Sequence, residues 1–178
     1  TWKSTGAGLI AVDALFALSA TRRDANAPLN DLRAALELAT RLREDRLRWG
    51  VDSIPALSKL VRAHELLNDS EEAIKSCLPE PWGAATTAEA SHPAICGEAI
   101  RLAGRLGRSL PEAYLQLVPS ASAQASAIAA AEGYKAALAG DEEAAASLWI
   151  EAYAAEEEPL ERLELATQLA FLGREVDA

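Results

Sequence analysis

The chain has 178 residues, half of them hydrophobic but only 5% aromatic, and a formal charge of −10. This length serves one domain or one continuous helical array, and an acidic body repels phosphate backbones, which excludes nucleic acid as a natural partner. The best apolar run, Ala7 to Ala20, is too short to span a bilayer and carries Asp13 at its middle, which excludes membrane insertion.

That run also lacks the basic start and cleavage site of a signal peptide. A cytoplasmic setting fits the composition. The chain opens on Thr1 and has no methionine, as an excised domain or processed protein would. Charge is uneven. Residues 1–62 carry ten Lys/Arg against seven Asp/Glu, and residues 63–178 carry seven against twenty.

The first predicted helix covers about 8–20. Leu9, Val12, Leu15, Phe16 and Leu18 make it apolar on most sides, so it is expected to be buried or to sit against a partner, including a second copy of the chain. The stretch from Arg22 to Asn26 reads as a loop. The second helix starts near Pro28 or Leu29 and runs to about Trp49, where Gly50 ends it. Leu29, Leu32, Leu36, Ala39 and Leu42 recur at helical spacing. Arg33, Glu37, Arg41 and Asp45 form a charge ladder on its other face.

A helix pair follows over 54–67 and 70–78, with Ser70 as expected N-cap and Glu71 and Glu72 in the favoured first turn. Pro79, Pro81 and Gly83 then break the pattern. The domain reading is therefore an N-terminal helical section, 1–78, a linker, 79–92, and a regular part, 93–178. In that last part helices are expected at about 93–106, 110–118, 122–139, 141–155 and 159–172. Pro93 and Pro159 stand at first helical positions. No segment alternates as a strand does. The expectation is an all-α fold of about eight or nine helices.

Gly107, Gly140 and Gly173 are 33 residues apart. Each closes an Ala- and Leu-rich run, and paired helices at such a period mark a helical repeat array. Within Ser126 to Glu158, Gly133 falls where a second helix crosses closely and Gly140 ends the first helix. Ala145 and Ala152 make small contacts between the helices, and Trp149 fills the large apolar position. This part resembles the tetratricopeptide repeat (TPR) family. The unit from Pro159 matches through Ala166, Leu169, Gly173 and Ala178. The unit from Pro93 has Gly107, but Ile100 stands where a small residue is usual. A fainter echo surrounds Leu67 and Ala73, with Asn68 in place of the glycine. Residues 1–50 are not covered.

The resemblance implies an antiparallel helix-pair solenoid, with an irregular N-terminal section, whose first helices line a concave groove. Residues 33 apart would then stack in rows: Arg101, Tyr134 and Thr167; Arg105, Leu138 and Phe171; Glu98, Ala131 and Glu164. Arg, Tyr and Phe anchor interfaces. The candidate partner-binding residues are therefore Glu98, Arg101, Arg105, Tyr134, Leu138, Thr167 and Phe171. Leu138 and Phe171 read equally as core, and Arg101 and Arg105 as solvated charges. Some members of the family clamp a C-terminal carboxylate with Lys and Asn; Ala130, Ala131, Tyr134 and Ala137 here depart from that pattern.

No catalytic constellation, cofactor or metal site is expected. His92 and Cys96 share a helical spacing, but Cys77 and His64 are poorly placed to complete a zinc site. No nucleophile signature surrounds Cys77 or Cys96. Gly6 and Gly8 follow no strand and make no phosphate loop. Glu156, Glu157 and Glu158 read as a solvated turn or as a docking site for a basic partner. The function expected is a non-enzymatic adaptor or scaffold holding a protein or peptide segment, with a basic one easiest to accommodate. The alternative is a regulatory or sensory helical module of a larger signalling or transcription protein.

Overall fold

The computed structural model describes residues 6–21, 27–117, 124–156 and 159–174. The described residues are mainly helical, in ten helices. In chain order these are α1 (Ala7–Thr21), α2 (Ala27–Arg48), α3 (Ile54–Leu66), α4 (Ser70–Cys77) and α5 (Thr87–Ala90), then α6 (Pro93–Arg105), α7 (Glu112–Leu115), α8 (Ala125–Leu138), α9 (Glu142–Ala155) and α10 (Pro159–Phe171). Pro79 and Ala85 form an isolated bridge, and no strand occurs among the described residues. Two compact units divide the chain, Thr1–Ile95 and Cys96–Ala178. No helix among the described residues is long and apolar enough to cross a membrane.

In the first unit α1 packs on α2 and α3, α2 on α3, and α3 on α4. Gly8 marks the crossing of α1 and α2, where a Cβ would come within 2.6 Å of Leu42 Cδ2. Leu32, Ala35 and Ala39 form the buried stripe of α2, whereas Leu29 at its start is 44% exposed. The outer face of α2 carries the Glu37–Arg41 and Asp45–Arg48 pairs.

The stretch 79–92 belongs to the first unit; the Ala84 and Ala85 amides bond back to Lys75 O and Leu78 O, and one carboxylate ties it to α2 and to Ser53. Glu89 is buried and accepts from Arg43 Nε at 2.9 Å and Nη2 at 2.7 Å, from Ser53 Oγ at 2.7 Å and from the Thr86 amide at 2.8 Å. Burial alone would raise its pKa. The hydrogen bonds from Arg43, Thr86 and Ser53, with the Arg43 charge, outweigh that and hold the carboxyl at about 2. Thr86 and Glu89 also form the capping box that starts α5.

Two helix hairpins use the same turn. Asn68, with φ 60°, and Gly140, with φ +81°, are left-handed at the ends of α3 and α8. In each case the following amide reaches back five residues: Asp69 N to His64 O and Asp141 N to Ala136 O. That is the Schellman closure, which asks for glycine or asparagine at the left-handed position. Asp69 and Asp141 then cap α4 and α9, accepting from the Glu72 and Ala144 amides at 3.3 and 3.0 Å. The cap of α4 is thus Asp69 and not Ser70, because the turn consumes only one residue beyond Asn68.

In the second unit α8 packs on α9 and α9 on α10. Trp149 Nε1 donates to Ala130 O at 3.3 Å, and Ser126 Oγ to Ala152 O at 3.2 Å. Partners climb one helix as they descend the other, so α8 and α9 are antiparallel. Trp149, Ala130, Ala145, Ala152, Leu165 and Leu169 form the core. Two glycines allow close crossings. A Cβ on Gly133 would lie 2.5 Å from the Trp149 ring, and one on Gly104 would lie 2.5 Å from Ala131 Cα.

Candidate functional site

The residues selected by the 33-residue spacing fall on α6, α8 and α10 of the second unit. Three of these helices' side chains meet over Tyr134. The Tyr134 hydroxyl donates to Glu164 Oε1 at 2.7 Å. Arg105 Nη1 lies 3.4 Å from the same carboxylate oxygen, and its guanidinium sits 5.9 Å from the Tyr134 ring centroid. Trp149 fixes the ring from behind, edge-on at 5.3 Å and 66°.

Arg101 is held on the same face. It pairs with Glu98 on its own helix and with Glu156 Oε2 at 3.6 Å. Glu156 also accepts from Ser126 Oγ at 2.6 Å. Glu156 is therefore a half-buried partner of two groups and not a residue of a solvated turn; Glu157 and Glu158 lie outside the described residues. Arg101 and Arg105 are not lone solvated charges, because acids from α6, α10 and the end of α9 neutralise them.

The links step diagonally. Arg105 to Tyr134 spans 29 residues, and Tyr134 to Glu164 and Ser126 to Glu156 each span 30. The partners therefore fall about one turn short of the 33-residue rows. Thr167 stands apart from these links, its Oγ1 donating to Leu163 O at 2.8 Å on its own helix. Ala131 packs at the Gly104 crossing.

Leu138 and Phe171 are 65% and 81% exposed, which removes the core reading for both. Each ends its helix before a left-handed glycine, Gly140 and Gly173. Leu163 on α10 is 64% exposed as well. The surface thus combines a neutralised charged centre with apolar side chains toward the helix ends.

The pairs weighed for chemistry do not assemble. Cys96 is buried while His92 is exposed, with the Ala94 amide donating to His92 Nδ1 at 3.3 Å, a helix-start contact. Burial pushes the Cys96 thiol up, with a hydrogen bond to Tyr114 acting the other way, and a raised thiol is a poor nucleophile. Cys77 is buried, and its Sγ donates to Ala73 O at 3.5 Å. Among the described residues no group of three or more His, Cys, Asp or Glu could hold a metal ion.

Comparison of the chain with protein-family models, curated proteins and solved structures finds no match.

Proposed function

We propose that the second unit is a TPR-like helical repeat that holds a peptide or protein segment against α6, α8 and α10, without catalysis. The observation that carries this reading is the meeting of Arg105, Tyr134 and Glu164, one from each of these alternate helices, on one face beside the exposed Leu138 and Phe171. In a helix-pair array the first helices of successive units share a face, and the contacts that join α6, α8 and α10 support that reading. The Gly133 crossing on Trp149 and the shared turn of the α3–α4 and α8–α9 hairpins support it further.

The chemistry of the face suggests the ligand. Arg101 and Arg105 are already engaged by acids, so the groove is no trap for anions. A segment with an apolar residue, seated on Leu138 and Phe171, and a basic residue, competing for Glu156 and Glu164, matches both features. The net acidity of the chain favours its approach.

Selection from a displayed random-peptide library tests the reading. The 178-residue chain serves as bait and the Leu138→Asp, Phe171→Asp variant as counter-bait. Enrichment of apolar–basic peptides on the first bait only is expected. Failure to enrich, or equal enrichment on both, refutes it.

A further inference from the structure

The face over Tyr134 contains a place for a cation, and one of the chain's own side chains sits in it. Glu164 supplies a carboxylate and Tyr134 a ring. The Tyr134 hydroxyl donates to Glu164 Oε1 at 2.7 Å and so holds the two together. Trp149 stands edge-on to the ring and fixes its plane. A carboxylate beside an aromatic face suits a guanidinium or an ammonium, through charge, hydrogen bonds and the negative face of the ring. Arg105 occupies the place, with Nη1 3.4 Å from Glu164 Oε1 and its guanidinium carbon 5.9 Å from the ring centroid.

The two arginines of α6 are held differently. Arg101 is 18% exposed and lies between Glu98 and Glu156, which are 19% and 11% exposed. Glu156 is further engaged by Ser126 Oγ at 2.6 Å. That cluster is largely shielded from a ligand. Arg105 is 38% exposed and Glu164 26%, so both ends of this pair meet solvent. Their 3.4 Å separation exceeds the about 2.7–2.9 Å of a tight charge-assisted bond. The 5.9 Å to the ring stands at the outer limit, about 6 Å, of a cation–π contact. Pairs as exposed as this are worth little and exchange partners at small cost. Leu138 follows Tyr134 by one turn of α8, and its Cδ1 would stand 3.2 Å from a Cβ on Gly107. An apolar side chain therefore lies at the end of α6 that carries Arg105.

We infer that Glu164 and Tyr134 form the subsite for a basic side chain of the bound segment, and that Arg105 is its internal competitor. Two cations cannot share one carboxylate without repulsion, so Arg105 swings out when the ligand's cation enters. The inference rests on the peptide-binding reading of this face and adds which acid receives the cation and what opposes it. Affinity for a basic segment is reduced by the fraction of chains in which Arg105 fills the subsite. A segment without a cation neither displaces Arg105 nor gains by its removal.

Calorimetric titration of a basic peptide enriched on the wild-type 178-residue chain tests this. The peptide, and a copy with norleucine in place of its basic residue, are titrated into the wild type, Arg105→Ala, and Arg105→Ala with Glu164→Gln. Alanine is the best helix former, and far-ultraviolet circular dichroism verifies that both variants keep their helices. Arg105→Ala is expected to bind the basic peptide at least about threefold more tightly than the wild type does. The norleucine copy is expected to show no such gain, and Glu164→Gln to abolish it. A smaller gain, or weaker binding to Arg105→Ala, overturns the inference and leaves the peptide-binding reading standing. A gain that the norleucine copy shares, or that survives Glu164→Gln, overturns it equally, because space and not a carboxylate was then released. Enriched peptides that carry no basic residue overturn it while the face remains a binding surface. No enrichment at all removes the reading and the inference together.

Discussion

Tyr134 on α8 donates its hydroxyl proton to Glu164 on α10 across 2.7 Å, and the same carboxylate faces Arg105 of α6. The hydroxyl joins α8 to α10, and Arg105 ties α6 to both through the carboxylate and the ring. Tyr134→Phe removes the bond and leaves the ring against Trp149. A loss of about 1–2 kcal/mol in urea unfolding is expected, since the bond to the carboxyl oxygen is only half-buried. The Arg105–Glu164 pair, more exposed, is expected to contribute within about 1 kcal/mol in a double-mutant cycle and to weaken with salt.

Gly133 faces a tighter constraint. The Trp149 ring stands where its Cβ would be, and Trp149 is itself buried and hydrogen-bonded to Ala130 O. Gly133→Ala must displace the ring. It is expected to cost about 1–3 kcal/mol, although alanine is the better helix former in isolation. Tryptophan fluorescence of a chain with Trp2, Trp49 and Trp82 replaced by Phe, followed through denaturation, reports both the shifted midpoint and the altered environment of the Trp149 ring.

Glu89 sets the acid limit of the first unit. Its folded pKa of about 2 lies below its ordinary 4.5, so the carboxylate form is the one the fold favours. The stabilisation is fully present above pH 4.5 and is lost as the pH falls from there toward 2. Linkage puts it at about 3 kcal/mol. Stability between pH 5 and 2, measured on the wild type and on Glu89→Gln, is expected to fall steeply in the first. In the variant the fall is shallower, from a lower starting point, because Arg43 has lost its bidentate partner.

Leu138 and Phe171 make a contrasting prediction. Both are mostly exposed, so Leu138→Asp with Phe171→Asp is expected to leave thermal stability nearly unchanged, within about 0.5 kcal/mol per site. Binding of a selected peptide is expected to fall at least about tenfold. A large stability loss would mean that these side chains are part of the core.

The helices themselves were legible in the sequence. Apolar periodicity, Pro93 and Pro159 at helix starts, and glycines at helix ends give α6, α9 and α10 to within a residue or two. Asn68 took the left-handed turn that its place in the pattern suggested. The four-residue α5 was not seen, because one turn has no period. The Thr86 and Glu89 spacing of a capping box was its only signal. Glu89 as an anchor was out of reach, since its partners Arg43 and Ser53 are 46 and 36 residues away. The spacing of 33 selected residues on α6, α8 and α10, but the contacts among these helices join other pairs, 29 and 30 residues apart. Which residues meet depends on how the helices are shifted along one another, and a repeat period does not contain that shift. Glu156 was misjudged for a similar reason: an acidic run looks solvated until a helix end brings Arg101 and Ser126 to it.

The central claim is that α6, α8 and α10 present one peptide-binding face. Its most direct test is amide chemical-shift mapping of the isotope-labelled chain with a peptide from the display selection. The account predicts shifts concentrated at Arg101, Arg105, Tyr134, Leu138, Thr167 and Phe171, with α1 and α2 undisturbed. Shifts confined to the first unit, or to the exposed side of α9 around Ile150, would contradict it.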